Sequence, residues 1–365
     1  MGLQCGIVGL PNVGKSTLFN CLSNAKAQAA NFPFCTIEPN IGVITVPDAR
    51  LNKLADLVKP QRVVPTTVEI VDIAGLVKGA SKGEGLGNQF LGNIRACDAI
   101  LHVVRCFDDA NVVHVDGSVD PVRDKEVIDT ELQLKDLETV EARISKIGRQ
   151  ALTGDKDARK RVELLERIKT VLIKGQSARA AIDVNDDPEM VAEIQLLTTK
   201  PVMYVCNVDE KSVTTGNKYV DAIRSAVAHE NAEVIVIAAA IEAEIAGLET
   251  AEERSMFLTD IGLKEPGVNK LIRSAYTLLK LQTYFTAGEK EVRAWTIHQG
   301  DTGPQAAGVI HTDFEKGYIR AEVIGFDDYI ALGSESAARS AGKLRTEGKE
   351  YLVKDGDVMH FLFNV

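Results

Sequence analysis

Gly9, Leu10, Pro11, Asn12, Val13, Gly14, Lys15 and Ser16 follow the spacing G-x-x-x-x-G-K-S of a P-loop. Two glycines let the backbone curl, so that the N–H groups along Asn12, Val13, Gly14, Lys15, Ser16 and Thr17 face an anion at the start of a helix. Lys15 then reaches the β and γ phosphates of a nucleoside triphosphate, and the Ser16 hydroxyl is a compact oxygen ligand for Mg2+. Further on, an apolar run over residues 68–71 ends at Asp72 and continues Ile73, Ala74, Gly75, which is D-x-x-G at a strand end. Asp72 can hold a water of the Mg2+ shell, and the Gly75 N–H can meet the γ phosphate, whose loss would release the loop that follows. Between the two motifs, Thr36 is the natural threonine to complete the Mg2+ shell, with Thr45 the weaker choice.

These groups need a scaffold that brings strand ends together. Residues 5–8 form a short apolar run ahead of the glycine loop, and helix-like Thr17 to Leu22 follow it, giving strand, loop, helix. Further apolar runs at 67–71, 99–106, 201–206 and 233–239 are spaced for crossover helices and predict a mostly parallel α/β sheet. Leu132, Leu134, Leu137, Val140, Ile144 and Ile147, then Val162, Leu165, Ile168 and Leu172, recur at helical spacing on either side of Gly154 and Asp155. This predicts an antiparallel helical hairpin inserted over residues 131–200. From residue 281 the pattern alternates, with strands expected at 292–297 and 358–363 in a small C-terminal domain over 281–365.

Composition bounds the remaining choices. A chain of 365 residues, 45% hydrophobic and 26% charged, is an ordinary globular protein of two or three domains. No apolar run approaches the ~20 residues of a membrane span, and the first residues lack the marks of a signal peptide, so no membrane contact and a cytoplasmic location are expected. Six scattered cysteines form no metal or disulfide pattern. The net charge of −10 argues against general adhesion to nucleic acid. Residues 143–179, however, carry eleven Lys/Arg against four Asp/Glu, a local net of +7, so contact with RNA falls on the hairpin. Residues 281–365 hold nine Lys/Arg against thirteen Asp/Glu, net −4, and offer no such patch.

The stretches GLPNVGKST (9–17), NFPFCTIEPN (31–40), DIAGLVKGASKGEGLG (72–87) and KDGDVMHFLFN (354–364) resemble the Obg-related P-loop GTPases, specifically the YchF (Obg-like ATPase) subgroup. That resemblance implies an OBG-type G domain over 1–130 and 201–280, a coiled-coil insert over 131–200, and a TGS domain of β-grasp fold over 281–365. It also implies ATP preferred over GTP, binding to the ribosome (large subunit or whole) in translation or stress response, and a K+ ion near Asn12.

Two departures from the general GTPase pattern bear on mechanism. Guanine is usually read by N-K-x-D, whereas residues 207–210 read Asn207, Val208, Asp209, Glu210. Adenine presents an acceptor at N1 and a donor at its 6-amino group, so a carboxylate aimed at N1 would repel it. The Asn207 side chain and the Val208 backbone are the expected base contacts, with 238–241 as the other base-side loop. Leu76 stands where many GTPases carry a water-orienting glutamine. His114 is the polar group expected to swing in instead. Two readings compete with an ATP-driven switch: a conventional GTPase, and a ribosome- or RNA-binding module in which hydrolysis is incidental.

Overall fold

In the computed structural model, residues 3–28, 41–73, 86–114, 117–153 and 155–364 are described. Their strands are β1 (Gln4–Val8), β2 (Ile41–Thr45), β3 (Arg62–Val64), β4 (Thr67–Asp72), β5 (Ala99–Cys106), β6 (Val202–Val208), β7 (Val234–Ile237), β8 (Leu281–Ala287), β9 (Glu291–His298), β10 (Tyr318–Gly325), β11 (Arg345–Glu347) and β12 (Asp357–Phe363). They form two six-stranded sheets, ordered β2-β4-β1-β5-β6-β7 and β11-β10-β12-β8-β9-β3. The chain divides into two units, Met1–Gly42 with Glu69–Val268, and Val43–Val68 with Asn269–Val365.

In the first unit β1 pairs in parallel with β4 and β5, β5 with β6, and β6 with β7. Every position of β5 and β6 is buried, as befits central parallel strands covered on both faces. Because these strands run the same way, the segments leaving β1, β4, β5, β6 and β7 emerge at one edge, where ligands of such sheets bind. Helix α1 (Lys15–Gln28) begins directly after the glycine loop.

The expected hairpin is present but starts earlier than its apolar periodicity indicates. After α2 (Ala49–Val58) and α3 (Leu86–Ala96) comes α4 (Pro121–Leu152), whose N-cap Asp120 accepts from the Arg123 N–H and whose first residue is proline. Helix α5 (Lys156–Ile173) follows, capped by Asp155. Val140, Leu164, Leu165, Ile168 and Leu172 bury against Ile194 and Leu196. Leu134 is 48% exposed and stays out of this core, because it lies two residues from buried Leu132 and so turns to another face. The Asp136 carboxylate, fully buried, accepts from the Leu197 N–H (2.8 Å) and from the Thr198 N–H and Oγ1 (both 2.7 Å), tying α4 to the entry of β6.

The second unit is built on the mixed sheet and holds the expected strands at 292–297 and 358–363. It also recruits chain that the sequence placed in the first domain. β3 pairs in parallel with β9 through Arg62↔Glu291, Val63↔Val292 and Val64↔Arg293. Leu51 and Leu54 of α2 bury with Phe285, Val292 and Ala294. The physical reason is edge protection and core closure: β9 would otherwise end the sheet unpaired, and one face of β8 and β9 would lie bare. Arg50 pairs with Asp48 (2.8 Å) and with Asp355 (2.7 Å), joining the two segments of this unit.

Candidate functional site

A cavity of about 770 Å3 lies at the strand-end edge of the first sheet. The glycine loop supplies Asn12, Gly14, Lys15, Ser16 and Thr17 to its lining, and the end of β6 with the segments after β5, β6 and β7 supplies the rest. Gly14 has φ +93°, a conformation that suits glycine, and a Cβ there would lie 2.2 Å from Asn207 Nδ2. The loop can therefore curl only with glycine at this point.

Lys15 is 8% exposed, and burial lowers its pKa, an effect partly opposed by Asp72. Asp72 Oδ1 is shut off from solvent and has no hydrogen-bond partner among the described residues. An orphaned carboxylate oxygen is costly, and a hydrated Mg2+ would satisfy it. Among the described residues no group of three His, Cys, Asp or Glu gathers to hold a metal. The Ser16 hydroxyl in the lining and the partnerless Asp72 oxygen fit an ion taking one hydroxyl, phosphate oxygens and water. Thr36, Gly75 and Leu76, with Cys35 beside Thr36, lie outside the described residues.

The base-side residues Asn207, Val208, Ala239 and Ala240 line the cavity. Asn207 Nδ2 donates to the Val13 carbonyl (2.9 Å), and Asn207 Oδ1 accepts from the Ala239 N–H (2.9 Å). Both amide atoms thus help clamp the glycine loop onto the start of α8 (Ala239–Gly247), which follows α6 (Pro188–Ile194) and α7 (Lys218–Val227), while the amide keeps a second N–H and a place in the cavity lining. The Asp209 carboxylate caps the turn Glu210–Ser212, meeting the Ser212 N–H and hydroxyl at 3.1 Å. Val208 and Ala239 are buried in the lining, and Glu210 is exposed there.

His114 is only 7% exposed at its side chain and sits 2.8 Å from Asp124 on α4. Its neighbour Val113 accepts from Asn12 Nδ2 at 3.2 Å. The residue is near the glycine loop, yet its ring is tucked against the hairpin's first helix rather than free to move through solvent. Sequence reasoning missed Arg105, which holds the segment after β5 from beneath. The available signal was a cation inside the otherwise apolar run 99–106.

Comparisons with known proteins extend along the whole chain. A family described as 50S ribosome-binding GTPase matches residues 4–144, and the YchF-GTPase C-terminal family, described as a protein of unknown function (DUF933), matches 281–364. The chain is 57% identical over 365 residues to Ribosome-binding ATPase YchF of Escherichia coli O157:H7, covering 100% of each. It is 54% identical over 367 residues to the protein of that name in Bacillus subtilis strain 168, again covering 100% of each. A solved structure described as the Schizosaccharomyces pombe YchF GTPase matches with TM-score 0.90 and 39% identity over 99% of this chain and 98% of that one. With likeness in sequence and fold running from end to end, and a glycine loop built for phosphate at its centre, the chain belongs to the YchF family of P-loop nucleotide hydrolases.

Proposed function

We propose that the protein is a Mg2+-dependent ATPase that prefers ATP to GTP and works as a ribosome-associated switch. The observation that carries the base preference is the fate of the carboxylate at Asp209. It is consumed by capping Ser212 and cannot serve as a shifted guanine reader, Val208 stands where N-K-x-D has its lysine, and the aspartate position of that motif holds the longer Glu210. A guanine would then leave its N1–H and 2-amino donors poorly met, whereas adenine can use the Val208 backbone. The relatives named as ribosome-binding ATPases support the same reading.

In this reading Gly14, Lys15 and the N–H groups from Asn12 to Thr17 bind the phosphates, Ser16 and Thr36 ligate Mg2+, and Asp72 and Gly75 report the γ phosphate. The Mg2+ neutralises charge on the phosphate oxygens. Asn12 Oδ1, which accepts no hydrogen bond among the described residues, is the atom available to a K+ ion. His114 positions the attacking water once it parts from Asp124. Residues 1–130 with 201–280, less the stretch 43–68 that folds with the second unit, serve as the OBG-type G domain, 131–200 as the coiled-coil insert and 281–365 as a TGS domain that this stretch completes, with the whole working in the cytoplasm.

The hairpin provides the RNA contact. Arg161, Arg167 and Lys169 are engaged by Glu193, Asp186 and Glu141. Arg143, Lys146, Arg149, Lys156, Arg159, Lys160 and Lys174 make no ion pair among the described residues, so they keep a positive face for ribosomal RNA.

Calorimetric titration with ATP and GTP in Mg2+, on the parent and on Val208→Lys with Glu210→Asp, tests the base reading. The parent should bind ATP more tightly, and the double variant should gain GTP affinity. A parent that prefers GTP would return the protein to the conventional GTPases.

A further inference from the structure

Arg105, near the end of β5, is 2% exposed and heads the bulkiest fully buried side chains. A guanidinium this deep must be satisfied from within. Among the described residues it has no carboxylate partner. Instead its Nε donates to the Phe107 carbonyl (3.1 Å), one terminal nitrogen to the Val112 carbonyl (2.9 Å) and the other to the Asp109 carbonyl (3.2 Å). Its carbon centre lies 4.6 Å from the centroid of the Phe107 ring. One guanidinium thus gathers three carbonyls of a single short segment.

That segment is part of the cavity. Phe107, Ala110 and Val112 belong to its lining, on the loop leaving the strand next to β6 and Val208. It is also pinned from other sides: Asn12 donates to Val113, the Tyr219 hydroxyl meets Asp108 (3.0 Å), and Asn217 Nδ2 donates to the Cys106 carbonyl (2.8 Å). Arg105 gathers its middle through the Asp109 and Val112 carbonyls.

We infer that Arg105 is a positioning residue for nucleotide binding, shaping the 107–112 wall that receives the nucleoside without touching the ligand. The inference rests on the cavity being the nucleotide site, as proposed above. A fork of donors in one plane is what the three carbonyls need. Lysine would keep the charge but meet them with a single compact ammonium, and methionine would leave them unmet.

The test compares ATP with tripolyphosphate, both in Mg2+, by calorimetric titration of the parent, Arg105→Lys and Arg105→Met. Tripolyphosphate engages the glycine loop alone. Arg105→Met should weaken ATP by about tenfold and leave tripolyphosphate as in the parent, with Arg105→Lys between the two. Equal losses for both ligands, or no loss for either, would overturn the inference. Should both variants fail to fold, hydrogen exchange on the ligand-free parent decides. The Asn111 and Val112 amides, which donate to the Asp109 side chain and carbonyl, should be protected. Exchange at free-peptide rates there would equally overturn it. A parent that prefers GTP sinks the ATP reading and leaves this one standing; Arg105 variants that bind ATP like the parent sink this one alone.

Discussion

At the scale of single residues, the glycine loop was legible because it is written locally: Gly14, Lys15 and Ser16 are neighbours, and all three line the cavity. The role of Asn207 was not, since its two partners, Val13 and Ala239, lie 194 and 32 positions away. A free side-chain amide reads as a base contact in sequence. Only the fold shows that it also clamps the loop to α8, with one N–H left over for a base. His114 shows the same limit, because its spacing gave no hint of Asp124. If His114 positions water, His114→Ala should slow single-turnover hydrolysis by about a hundredfold while ATP affinity holds. An unchanged rate would take His114 out of the reaction.

Among the elements, long apolar runs told most. The runs at 67–71, 99–106, 201–206 and 233–239 became β4, β5, β6 and β7 with ends shifted by up to a few residues, since backbone hydrogen bonding and the apolar side-chain pattern stop independently. The hairpin was visible from its periodicity, but its first ten residues were not, because Asp120 and Pro121 announce the helix start without any apolar repeat. β3 escaped notice for another reason: a three-residue edge strand carries too little pattern, and its partner is far along the chain. The anchor of the hairpin is Asp136, whose pKa is raised by burial against the pull of three donors. Asp136→Ala leaves the Leu197 and Thr198 N–H groups without an acceptor and should cost about 3 kcal/mol, read from the denaturant midpoint. Hydrogen exchange should rise at 197–198 first. A loss below ~1 kcal/mol would mean that water replaces the carboxylate.

For the molecule as a whole, charge and acidity carry the expectations. His102 is 2% exposed, with Nε2 shut from solvent and without a hydrogen-bond partner among the described residues. Burial first, and Lys125 second, push its pKa from 6.5 down to about 3. The folded chain therefore keeps His102 neutral where the unfolded chain protonates it. Stability from this residue is complete above pH 6.5 and is lost as pH falls toward about 3. Asp136 and Glu242, both raised by burial, act in the opposite sense, adding stability as pH falls through their raised pKa values. His102→Leu should flatten the acid limb of the stability profile. A parallel shift of the whole profile would deny His102 that part.

Charge on the hairpin gives a second expectation at this scale. Ribosome binding should fall steeply with salt, and reversing Lys146, Lys156 and Lys160 should remove most of that slope. Those three make no ion pair among the described residues, and Lys156 and Lys160 are exposed, so reversal breaks no bridge. Binding insensitive to salt would place the contact elsewhere.

The pairing of β3 with β9 also sets an order in time. Val64 leaves the ribosome about 230 residues before the strand it must join, an interval on the order of ten seconds or more at ~5–20 residues per second. Through that interval Leu51, Leu54 and Val64 have no finished core to enter, and β3 is an unclaimed strand. A nascent chain of this protein thus keeps an early segment waiting for its last domain. Cutting the chain near 281 to isolate that domain would leave behind its helix α2 and the edge strand that closes its sheet.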